Sequence, residues 1–597
     1  MIFGLVKLLL RVGLGLSLAL GIYLGLIWYQ VTRLDDAGLR AALSRPLMLV
    51  QVTPQGLGLA ECNCNRTLRD DEIPLMVRDA LVATEDRRFF DHGGVDPIAL
   101  VRAAATGFAE GGSTLTQQLA KSALTGDYDL IQRKIHEAMF AWRIESLYSK
   151  DDILRLYLSR VRFGSIRGVP VFGLRDAAEV YFGVEPADLS LAQSALLVGM
   201  LKATTTYQPI EHPQAAAGRA LTVVNLMRRA GHIPASLRVD IAAALPDGPR
   251  KRPARDRFIE DHLLAEFREL GFDSKPGWYR IVTSLDPIAQ YQARLVVEGE
   301  MSERRASGAR RAALVTLDRE GRIVALYGGR DYGRSTFNIA TQGERQAAST
   351  AKLATYLAAL EARWQVDYAV QDSRDALTGP FEPRNADDRY LGSIRMDQCL
   401  AQSRNVCTMF LAQDVGMRRI SEMAARLGMV AKGTPGSSVV LGAAETTLLR
   451  NTAAYSSLTA GGRVPHPRAI RAVLGAFGRV HFGAPPERSR AVASPTSIDA
   501  MRRMLRMAVT EGTGRNADFV GGRAFGKTGT SQENRDAWFI GFTADDLTTG
   551  VWIGPAEGKT MRGISGGDLP ARIFSRYNRN LVERFRDYSE GAPSLSR

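Results

Sequence analysis

The chain has 597 residues, too many for one ordinary hydrophobic core, so two or three domains are expected. Its composition, 45% hydrophobic and 23% charged residues, excludes an intrinsically disordered protein. The formal net charge of +14 at pH 7 predicts anionic partners, and nucleic acid, phosphorylated lipids and the acidic bacterial envelope all fit that charge.

The first predicted element is a membrane-spanning helix over residues 12–32, preceded by a cytoplasmic segment, 1–11. The span carries no charged residue, and at 1.5 Å per residue it covers about 30 Å, the thickness of a bilayer core. Lys7 and Arg11 precede it, so the positive-inside rule places the rest of the chain outside the cytoplasm. A cleaved signal peptide is the alternative, but the long apolar run favours an uncleaved anchor. We therefore expect a single-pass protein of the inner (cell) membrane, with periplasmic or other extracytoplasmic domains that meet membrane lipid and not nucleic acid.

The next region carries three polar motifs: EDRRFFDHG from Glu85, GGSTLTQQLAK ending at Lys121, and RKIHE from Arg133 to Glu137. Apolar residues at helical spacing around the last motif place Arg133 and Glu137, at i and i+4, on a separate polar face. The alternative interpretations are an exposed ion pair for Arg133 and Glu137, and a helix-surface carboxylate for Glu85.

Together these motifs resemble the glycosyltransferase domain that makes peptidoglycan strands, a lysozyme-like helical fold, and the similarity extends over about residues 73–227. The resemblance implies that Glu85 is the general base on the acceptor sugar 4-hydroxyl, since a carboxylate can accept that proton as the bond forms. It also implies that Glu137 assists at the diphosphate of lipid II, with or without a divalent cation. The substrate-binding residues implied in the same way are His92, Gln117, Lys121, Arg133, Lys134 and Arg160.

A connector is predicted at 236–310, between domains expected at 33–235 and 311–575. Its first part, LPDGPRKRPARDR from Leu245, is basic and rich in proline. The sequence YRIVTSLD then predicts a strand, and residues 288–301 predict a helix. A last helix is expected around Ala571, followed by a tail, 576–597, with no appended module.

Two short elements further along share one chemistry: STAK from Ser349 to Lys352, and SRN from Ser403 to Asn405. A serine and a lysine three residues apart on a helix share one face, so the amine can move the hydroxyl proton. Ser403 would supply a proton relay, and Asn405 an amide that holds the substrate.

The third element of this set is KTGT, from Lys527 to Thr530, on a predicted strand. Lys527 and Thr528 would present a cation and a hydroxyl to a substrate carboxylate. Each of the three elements occurs alone as an ordinary helix pair or turn, but their fixed order is specific.

The ordered set resembles the penicilloyl serine transferases, and its surroundings resemble the transpeptidase domain of class A penicillin-binding proteins. The resemblance implies that Ser349 attacks a penultimate D-alanine carbonyl, with Lys352 as the base. It implies an oxyanion hole from the backbone N–H groups of Ser349 and Thr530. β-Lactams would then be covalent inhibitors, and the reaction would need no cofactor. Ala347 and Ala348 stand where the family usually has Pro-Gly.

The sequence as a whole is therefore interpreted as a bifunctional class A penicillin-binding protein. The predicted fold class is multidomain α and α/β: a transmembrane helix, a helical glycosyltransferase domain, and a transpeptidase domain of helices around an antiparallel sheet. Lipid II and nascent glycan strands would be its substrates, with other cell-wall synthesis proteins as partners. The alternative is a membrane-anchored penicillin-binding sensor or a β-lactamase-like protein, which has no use for the Glu85 and Glu137 motifs.

Four cysteines are present, in two close pairs. Cys62 and Cys64 form a Cys-x-Cys pair, which alone is a poor metal site. Cys399 and Cys407 bracket Ser403, and on one straight helix they would lie about 12 Å apart, too far for a bond. A disulfide there requires a break near Ser403, and the sequence assigns none.

Overall fold

The structure is a computed structural model that describes these residues: 21–23, 25, 28–29, 47–53, 56–63, 68, 72–105, 112–124, 130–166, 169–248, 257–275, 277–303, 307–332, 334–377, 383–475, 480–485, 491–519, 524–556 and 559–590. Most of the predicted membrane span, 12–32, lies outside them, and the six described residues of that span are helical. Among the described helices, none has the length and apolar character needed to cross a bilayer.

The chain divides into two compact units. The first unit comprises 1–255, 273–282 and 472–483, and the second comprises 256–272, 283–471 and 484–597. Two later segments of the chain therefore return to the first unit, a feature that the predicted division at a single connector does not contain.

The helices of the first unit are α1 (Leu75–Glu85), α2 (Pro97–Ala105), α3 (Leu115–Leu124), α4 (Leu130–Leu147), α5 (Lys150–Arg160), α6 (Gly173–Ala177), α7 (Leu191–Met200) and α8 (Pro213–Arg229). The later helices are α9 (Arg257–Glu269), α10 (Pro287–Glu303), α11 (Ile339–Gln342), α12 (Lys352–Glu361), α13 (Met396–Ala401), α14 (Asn405–Val415), α15 (Met417–Arg426), α16 (Gly436–Val440), α17 (Leu448–Ser456), α18 (Pro495–Thr510) and α19 (Leu569–Glu590).

The strands are β1 (Leu47–Thr53), β2 (Gly56–Asn63), β3 (Arg162–Ile166), β4 (Val169–Phe172), β5 (Gly277–Thr283), β6 (Ala309–Leu317), β7 (Ile323–Tyr327), β8 (Arg345–Gln346), β9 (Ala369–Asp372), β10 (Gly392–Arg395), β11 (Glu445–Thr446), β12 (Ile470–Leu474), β13 (Val480–Gly483), β14 (Phe525–Thr530), β15 (Ala537–Phe542) and β16 (Thr548–Pro555). The predicted strand before Asp286, the helix after it, the KTGT strand and the last helix are thereby confirmed.

The core of the first unit is helical. Helix α7 begins with a capping box, in which Ser190 and Gln193 satisfy each other's backbone N–H groups. It is buried along most of its length because its sequence, LAQSALLVGM, is almost wholly apolar. Helices α1 and α8 pack on α7 and on each other. Glu85, the last residue of α1, is therefore carried by a helix that is fixed in this core.

The first unit also contains a five-stranded sheet with the order β13-β12-β5-β1-β2. Strand β1 pairs antiparallel with both β2 and β5. Because β5 and β12 come from distant parts of the chain, this pairing explains why segments 273–282 and 472–483 belong with the first unit.

The second unit is built on a five-stranded antiparallel sheet with the order β14-β15-β16-β6-β7. Helices α10 and α19 pack against it and each other, and α17 packs against β6, β15 and β16. Every residue of β15 and nearly every residue of β16 is buried, as expected of strands covered on both faces. The edge strand β14, which carries KTGT, contacts α18 and the turn before α12.

Candidate active sites

Glu85 lies at the end of α1 and is partly exposed. Its Oε2 accepts a hydrogen bond from Nε2 of Gln118 at 3.3 Å, and the Tyr157 hydroxyl donates to Oε1 of Gln118 at 2.7 Å. Burial raises the pKa of Glu85, against the opposing effects of Gln118 and of the positive charges of Arg219 and Lys202. A raised pKa makes this carboxylate a stronger base, which suits proton abstraction near neutral pH.

The two adjacent glutamines of α3 have different roles. Gln117 Oε1 accepts from the backbone N–H of Thr114 at 3.0 Å, and the Gln117 N–H donates to the Thr114 hydroxyl at 3.1 Å, so this pair caps the helix. Gln118, one position on, reaches Glu85. The substrate-binding role of Gln117 stays a prediction; sequence reasoning missed Gln118, for which the QQ pair was the available signal.

The loop after Glu85 is fixed by a buried pair. His92 Nε2 lies 3.0 Å from Oδ1 of Asp86, and the other Asp86 oxygen accepts from the backbone N–H of Leu115 at 3.0 Å. The side chain of His92 is 2% exposed. The Lys150 ammonium donates to the His92 carbonyl oxygen at 2.6 Å. In this arrangement His92 holds the loop against α3, and its contact with substrate stays a prediction.

Glu137 lies on α4 with a side chain that is 1% exposed. Its Oε2 accepts from the Lys134 ammonium at 2.8 Å, and Lys134 also donates to the Ser113 hydroxyl at 2.7 Å. Arg133 Nε lies 3.6 Å from Glu137 Oε1, so the two side chains lie on one face of α4, as their i, i+4 spacing predicts. Within the described part of the chain, Glu137 Oε1 is buried and makes no hydrogen bond.

The remaining predicted cations of this region differ in exposure. Lys121 is exposed on α3, whereas Arg160 is 7% exposed at the end of α5. Burial lowers the pKa of Arg160 to about 10. Contact between either side chain and a diphosphate stays a prediction. Ser159 has a structural role, because its hydroxyl accepts from the Leu68 N–H at 2.9 Å and donates to the Arg155 carbonyl at 2.6 Å.

In the second unit, the Lys352 ammonium is enclosed by three acceptors. It donates to the carbonyl oxygens of Ser403 and Arg404 at 2.8 and 3.0 Å, and to Oδ1 of Asn405 at 2.9 Å. Burial lowers the pKa of Lys352 well below its usual value, and the charges of Lys527 and Arg404 lower it further. A buried lysine of this kind can supply the neutral amine that a general base requires.

Lys527 on β14 is also buried, with 1% exposure. Its ammonium donates to the Ser403 hydroxyl at 2.6 Å and to the Thr528 carbonyl at 3.1 Å. Burial lowers the pKa of Lys527 to about 7. The Thr528 hydroxyl is 2.6 Å from that of Thr513, a residue that sequence reasoning missed. The predicted convergence of SRN and KTGT is thereby observed at Ser403.

Ser349 is partly exposed in the 3-10 turn Ala348–Ala351 that leads into α12. Helix α17 supports this turn: Asn451 donates to the Thr350 hydroxyl, and the Tyr455 hydroxyl donates to the Thr350 carbonyl, both at 2.8 Å. Ala348 has φ 48°, in the left-handed region, which is strained for a residue other than glycine.

Strand β14 passes close to this turn at Gly529. A Cβ added at Gly529 would lie 3.0 Å from Cγ2 of Thr350 and 3.1 Å from the Ala347 carbonyl oxygen. Glycine therefore permits the approach that brings Thr530 beside the turn of Ser349. The Thr530 hydroxyl accepts from the backbone N–H of Gly566 at 3.0 Å.

The SRN element is a turn between α13 and α14, and a disulfide spans it. Cys399 and Cys407 are bonded, with Cα atoms 6.2 Å apart. The helix is broken at Ser403, where φ is 57°. A break at this position is what the sequence analysis requires for a Cys399–Cys407 bond. The Tyr356 hydroxyl donates to Cys399 Sγ at 3.0 Å. Cys64 lies outside the described residues.

Comparison with known proteins gives a family for each half of the chain. The family described as Transglycosylase matches residues 58–228, and the Penicillin binding protein transpeptidase domain matches residues 312–576. Penicillin-binding protein 1B of Vibrio cholerae is 32% identical over 573 residues, which cover 91% of this chain and 73% of that protein. The chain belongs to the class A penicillin-binding proteins.

One further relative is similar in sequence, and one solved structure is similar in fold. Penicillin-binding protein 1A of Aquifex aeolicus is 30% identical, over 86% of this chain and 83% of that protein. The crystal structure of penicillin-binding protein 1A from Haemophilus influenzae shares the fold with a TM-score of 0.52 and 20% identity, and the match covers 92% of this chain and 93% of that one.

This class A penicillin-binding protein is a bifunctional enzyme of peptidoglycan synthesis. The glycosyltransferase that polymerises glycan strands occupies residues of the first unit, and the transpeptidase that cross-links them lies largely in the second. The resemblances drawn from the Glu85 and Ser349 motifs are confirmed at the level of family and activity.

Proposed function

We propose that the glycosyltransferase polymerises lipid II with Glu85 as its general base. The carboxylate accepts the proton of the acceptor sugar 4-hydroxyl while that oxygen forms the glycosidic bond and the lipid diphosphate departs. The supporting observation is the environment of Glu85, which is partly exposed, held by Gln118 and raised in pKa by burial. Partial exposure gives the substrate access, burial makes the carboxylate a stronger base, and Gln118 fixes its position.

The diphosphate is bound beside Glu137 and Lys134. The Lys134 side chain is 46% exposed, so its ammonium can bind a phosphate while it stays fixed by Glu137. Arg133 and Lys121 supply further positive charge, as positioned cations do for departing phosphates. The described residues contain no group of three metal-ligating side chains, and Glu137 already pairs with Lys134. Glu137 and Lys134 therefore do not form a divalent-cation site of their own.

At the transpeptidase site, Ser349 Oγ attacks the penultimate D-alanine carbonyl and its proton passes to the neutral amine of Lys352. The C–N bond to the terminal D-alanine breaks, and that amine leaves with a proton. An amine of a neighbouring stem peptide then attacks the Ser349 ester and releases the serine. The observation that carries this assignment is the burial of Lys352, which lowers the pKa of its amine, at a position fixed by its contacts with the 403–405 turn.

The other elements bind and polarise the substrate. The backbone N–H groups of Ser349 and Thr530 form the oxyanion hole, which is supported by the close approach of β14 at Gly529. Lys527 and Thr528 bind the substrate carboxylate, and the Ser403 hydroxyl relays a proton between Lys527 and the reacting groups. β-Lactams, which resemble the acyl-D-alanyl-D-alanine unit, acylate Ser349.

The chain is anchored by residues 12–32 in the inner membrane, with both catalytic units outside the cytoplasm. The support is the uncharged length of that segment and the Lys7 and Arg11 that precede it. A reporter fused after Arg597 should be active outside the cytoplasm, and activity of a reporter that works only inside would contradict the topology. Contacts with other cell-wall synthesis proteins are part of the same proposal.

One assay tests both reactions. Purified protein is incubated with lipid II, and the products are analysed for glycan polymer and for cross-linked muropeptides. Both products are expected. A second measurement locates the penicillin adduct by mass spectrometry, which is expected on Ser349 and absent from Ser349→Ala. An adduct on another serine would overturn the transpeptidase assignment, and lipid II left unpolymerised would overturn the other.

A further inference from the structure

We propose that Asp372 is a positioning residue for transpeptidation, which holds the 403–405 turn against Lys352 through the side chains of Arg404 and Asn385. The inference rests on the proposed role of Lys352 as the base. Asp372 itself lies in a segment, β9 to β10, that none of the sequence motifs includes.

Asp372 ends β9 and is fully buried. Its Oδ1 accepts from Nδ2 of Asn385 at 2.8 Å, and its Oδ2 accepts from the backbone N–H of Leu391 at 3.0 Å. Oδ2 also accepts from Nε of Arg404, whose side chain is 5% exposed. A buried charge pair with these additional hydrogen bonds has one well-defined geometry.

Two side chains connect the Asp372 carboxylate to the 403–405 turn. The first is Arg404, the middle residue of SRN, which is paired with Asp372 directly. The second is Asn385, whose Oδ1 accepts from the backbone N–H groups of Asn405 at 2.8 Å and Val406 at 3.2 Å. Asn385 thus satisfies two of the free N–H groups at the start of α14. Both residues that follow Ser403 are attached to the same buried anion.

The turn needs such support because its backbone is strained. Ser403 has φ 57°, and a left-handed residue other than glycine persists where the surrounding structure fixes it. This conformation lets two consecutive carbonyl groups, of Ser403 and Arg404, accept from the Lys352 ammonium. If the turn relaxes, Lys352 loses two of its acceptors, and the Ser403 hydroxyl moves away from Lys527.

Asp372 also balances the charge around Lys352. Three charged groups act on this amine from the surrounding elements: Lys527 from β14, Arg404 from the turn and Asp372 from β9. The two cations lower the pKa of Lys352, and Asp372 opposes them. Loss of the Asp372 charge should therefore lower that pKa further, which gives the proposal a readout separate from folding.

The test is the pH profile of Ser349 acylation by a labelled penicillin in the full-length protein. In Asp372→Asn we expect the second-order rate constant to fall about 10²-fold, the size of effect that a small misplacement of catalytic groups produces. We also expect the acidic limb of the profile to move to lower pH. In the double variant Asp372→Asn/Arg404→Met the rate should stay low, but the limb should return toward the wild-type position because the net charge near Lys352 is restored.

The double variant also covers the risk that Asp372→Asn fails to fold, since removing both members of the buried pair leaves no Arg404 charge to be balanced by the half-exposed Asp387, 3.3 Å away. A matched control is Glu300→Gln, which breaks another buried pair of the second unit, with Arg572 at 2.8 Å and Arg576 at 3.2 Å. Its acylation rate and pH profile should be those of the wild type. Glycan polymerisation, in the other unit, should be intact in all three variants.

Wild-type rates in both Asp372 variants would overturn the proposal. A lower rate with an unmoved acidic limb in Asp372→Asn, or an equal loss in Glu300→Gln, would also overturn it, because general destabilisation has those effects. Failure of the wild-type protein to be acylated on Ser349 would instead contradict the function on which the proposal rests.

Discussion

In the two catalytic units, burial shifts the pKa values of an acidic and a basic side chain in opposite directions. In the glycosyltransferase, burial raises the pKa of the carboxyl group of Glu85. In the transpeptidase, burial lowers the pKa of Lys352 and of Lys527. Desolvation disfavours the charged form in each case, so one physical effect brings an acid and an amine toward the working pH from opposite sides.

The units also differ in how the bases are held. Glu85 is fixed by Gln118 and Tyr157, neutral side chains within one helical body. Lys352 is fixed by the SRN turn and lies near the charge of Lys527 on a sheet strand. Neighbouring cations also act differently at the two sites: Arg219 and Lys202 oppose the effect of burial on the pKa of Glu85, whereas Lys527 reinforces the effect of burial on the pKa of Lys352.

The largest effects are expected from removing each base in turn. Lys352→Ala should lower Ser349 acylation by about 10²–10⁴-fold, the usual contribution of a general base, while glycan polymerisation continues. Glu85→Gln, which keeps nearly the same volume, should lower polymerisation over the same range, about 10²–10⁴-fold. Labelled penicillin and lipid II polymerisation measure the two activities separately.

Acylation must be measured directly in the Glu85 variant, because a coupled cross-linking assay fails when no strands are made. With that control, Glu85→Gln should be acylated at the wild-type rate. Loss of both activities in either variant would break the separation between the units, and wild-type polymerisation in Glu85→Gln would remove that residue from the mechanism.

The second prediction sharpens the comparison through pH. Glu85 must be deprotonated, so polymerisation should decline on acidification at a pH above the usual carboxyl range, since burial raises its pKa. Acylation should have a separate acidic limb, set by protonation of Lys352, whose pKa is lowered by burial and by the charges of Lys527 and Arg404. It should also decline on the alkaline side as Lys527, with its lowered pKa, loses its charge, by about tenfold per pH unit for a single group.

Lys527→Arg is the control for the alkaline decline. A guanidinium stays charged at every pH of the assay, so this variant should lack the alkaline limb, whatever its absolute rate. Polymerisation should keep its wild-type pH profile in the same variant. An alkaline limb that persists in Lys527→Arg would assign the titration to another group.

The sequence predicted the parts of both sites that depend on local spacing. The i, i+4 placement of Arg133 and Glu137 follows from helical periodicity, and the order of three motifs was enough to identify the transpeptidase. The side chains that hold the turn at Ser403 could not be predicted from the sequence. Asn385 and Asp372 precede that turn by many residues, and their contact depends on tertiary packing that no periodicity encodes.

A third, smaller effect is expected from the disulfide that spans the SRN turn. Replacing Cys399 and Cys407 by alanine should lower the stability of the transpeptidase unit by about 2–3 kcal/mol, the chain-entropy value for a short loop. The two residues are 8 apart in sequence. Thermal unfolding measures the loss. A reductant should lower the unfolding temperature of the wild type by more than that of the double variant, which retains Cys62 and Cys64 but lacks the bond across the SRN turn.

The smallest effect concerns Ala348, at the position where the family resemblance predicts glycine. Its left-handed φ of 48° costs roughly 1–2 kcal/mol. Ala348→Gly removes that strain, but it frees the unfolded chain by about 0.4–1 kcal/mol and loses a buried methyl group worth about 0.8 kcal/mol. Because these contributions nearly cancel, the unfolding free energy should change by less than about 1 kcal/mol, and acylation should continue at the wild-type rate.

Gly442→Ala, the reverse substitution at the residue that faces Ala348, should have a larger effect than Ala348→Gly. Gly442 accepts the Ala348 N–H at 2.9 Å, and a Cβ added there would lie 1.9 Å from the Ala348 carbonyl oxygen. Gly442 also has φ 76°, so Gly442→Ala combines a steric clash with left-handed strain that nothing offsets. It should lower both stability and Ser349 acylation, as measured by thermal unfolding and labelled penicillin. If instead Ala348→Gly changed acylation as strongly, the alanine itself would be setting the position of Ser349, and strain at this turn would be part of the mechanism.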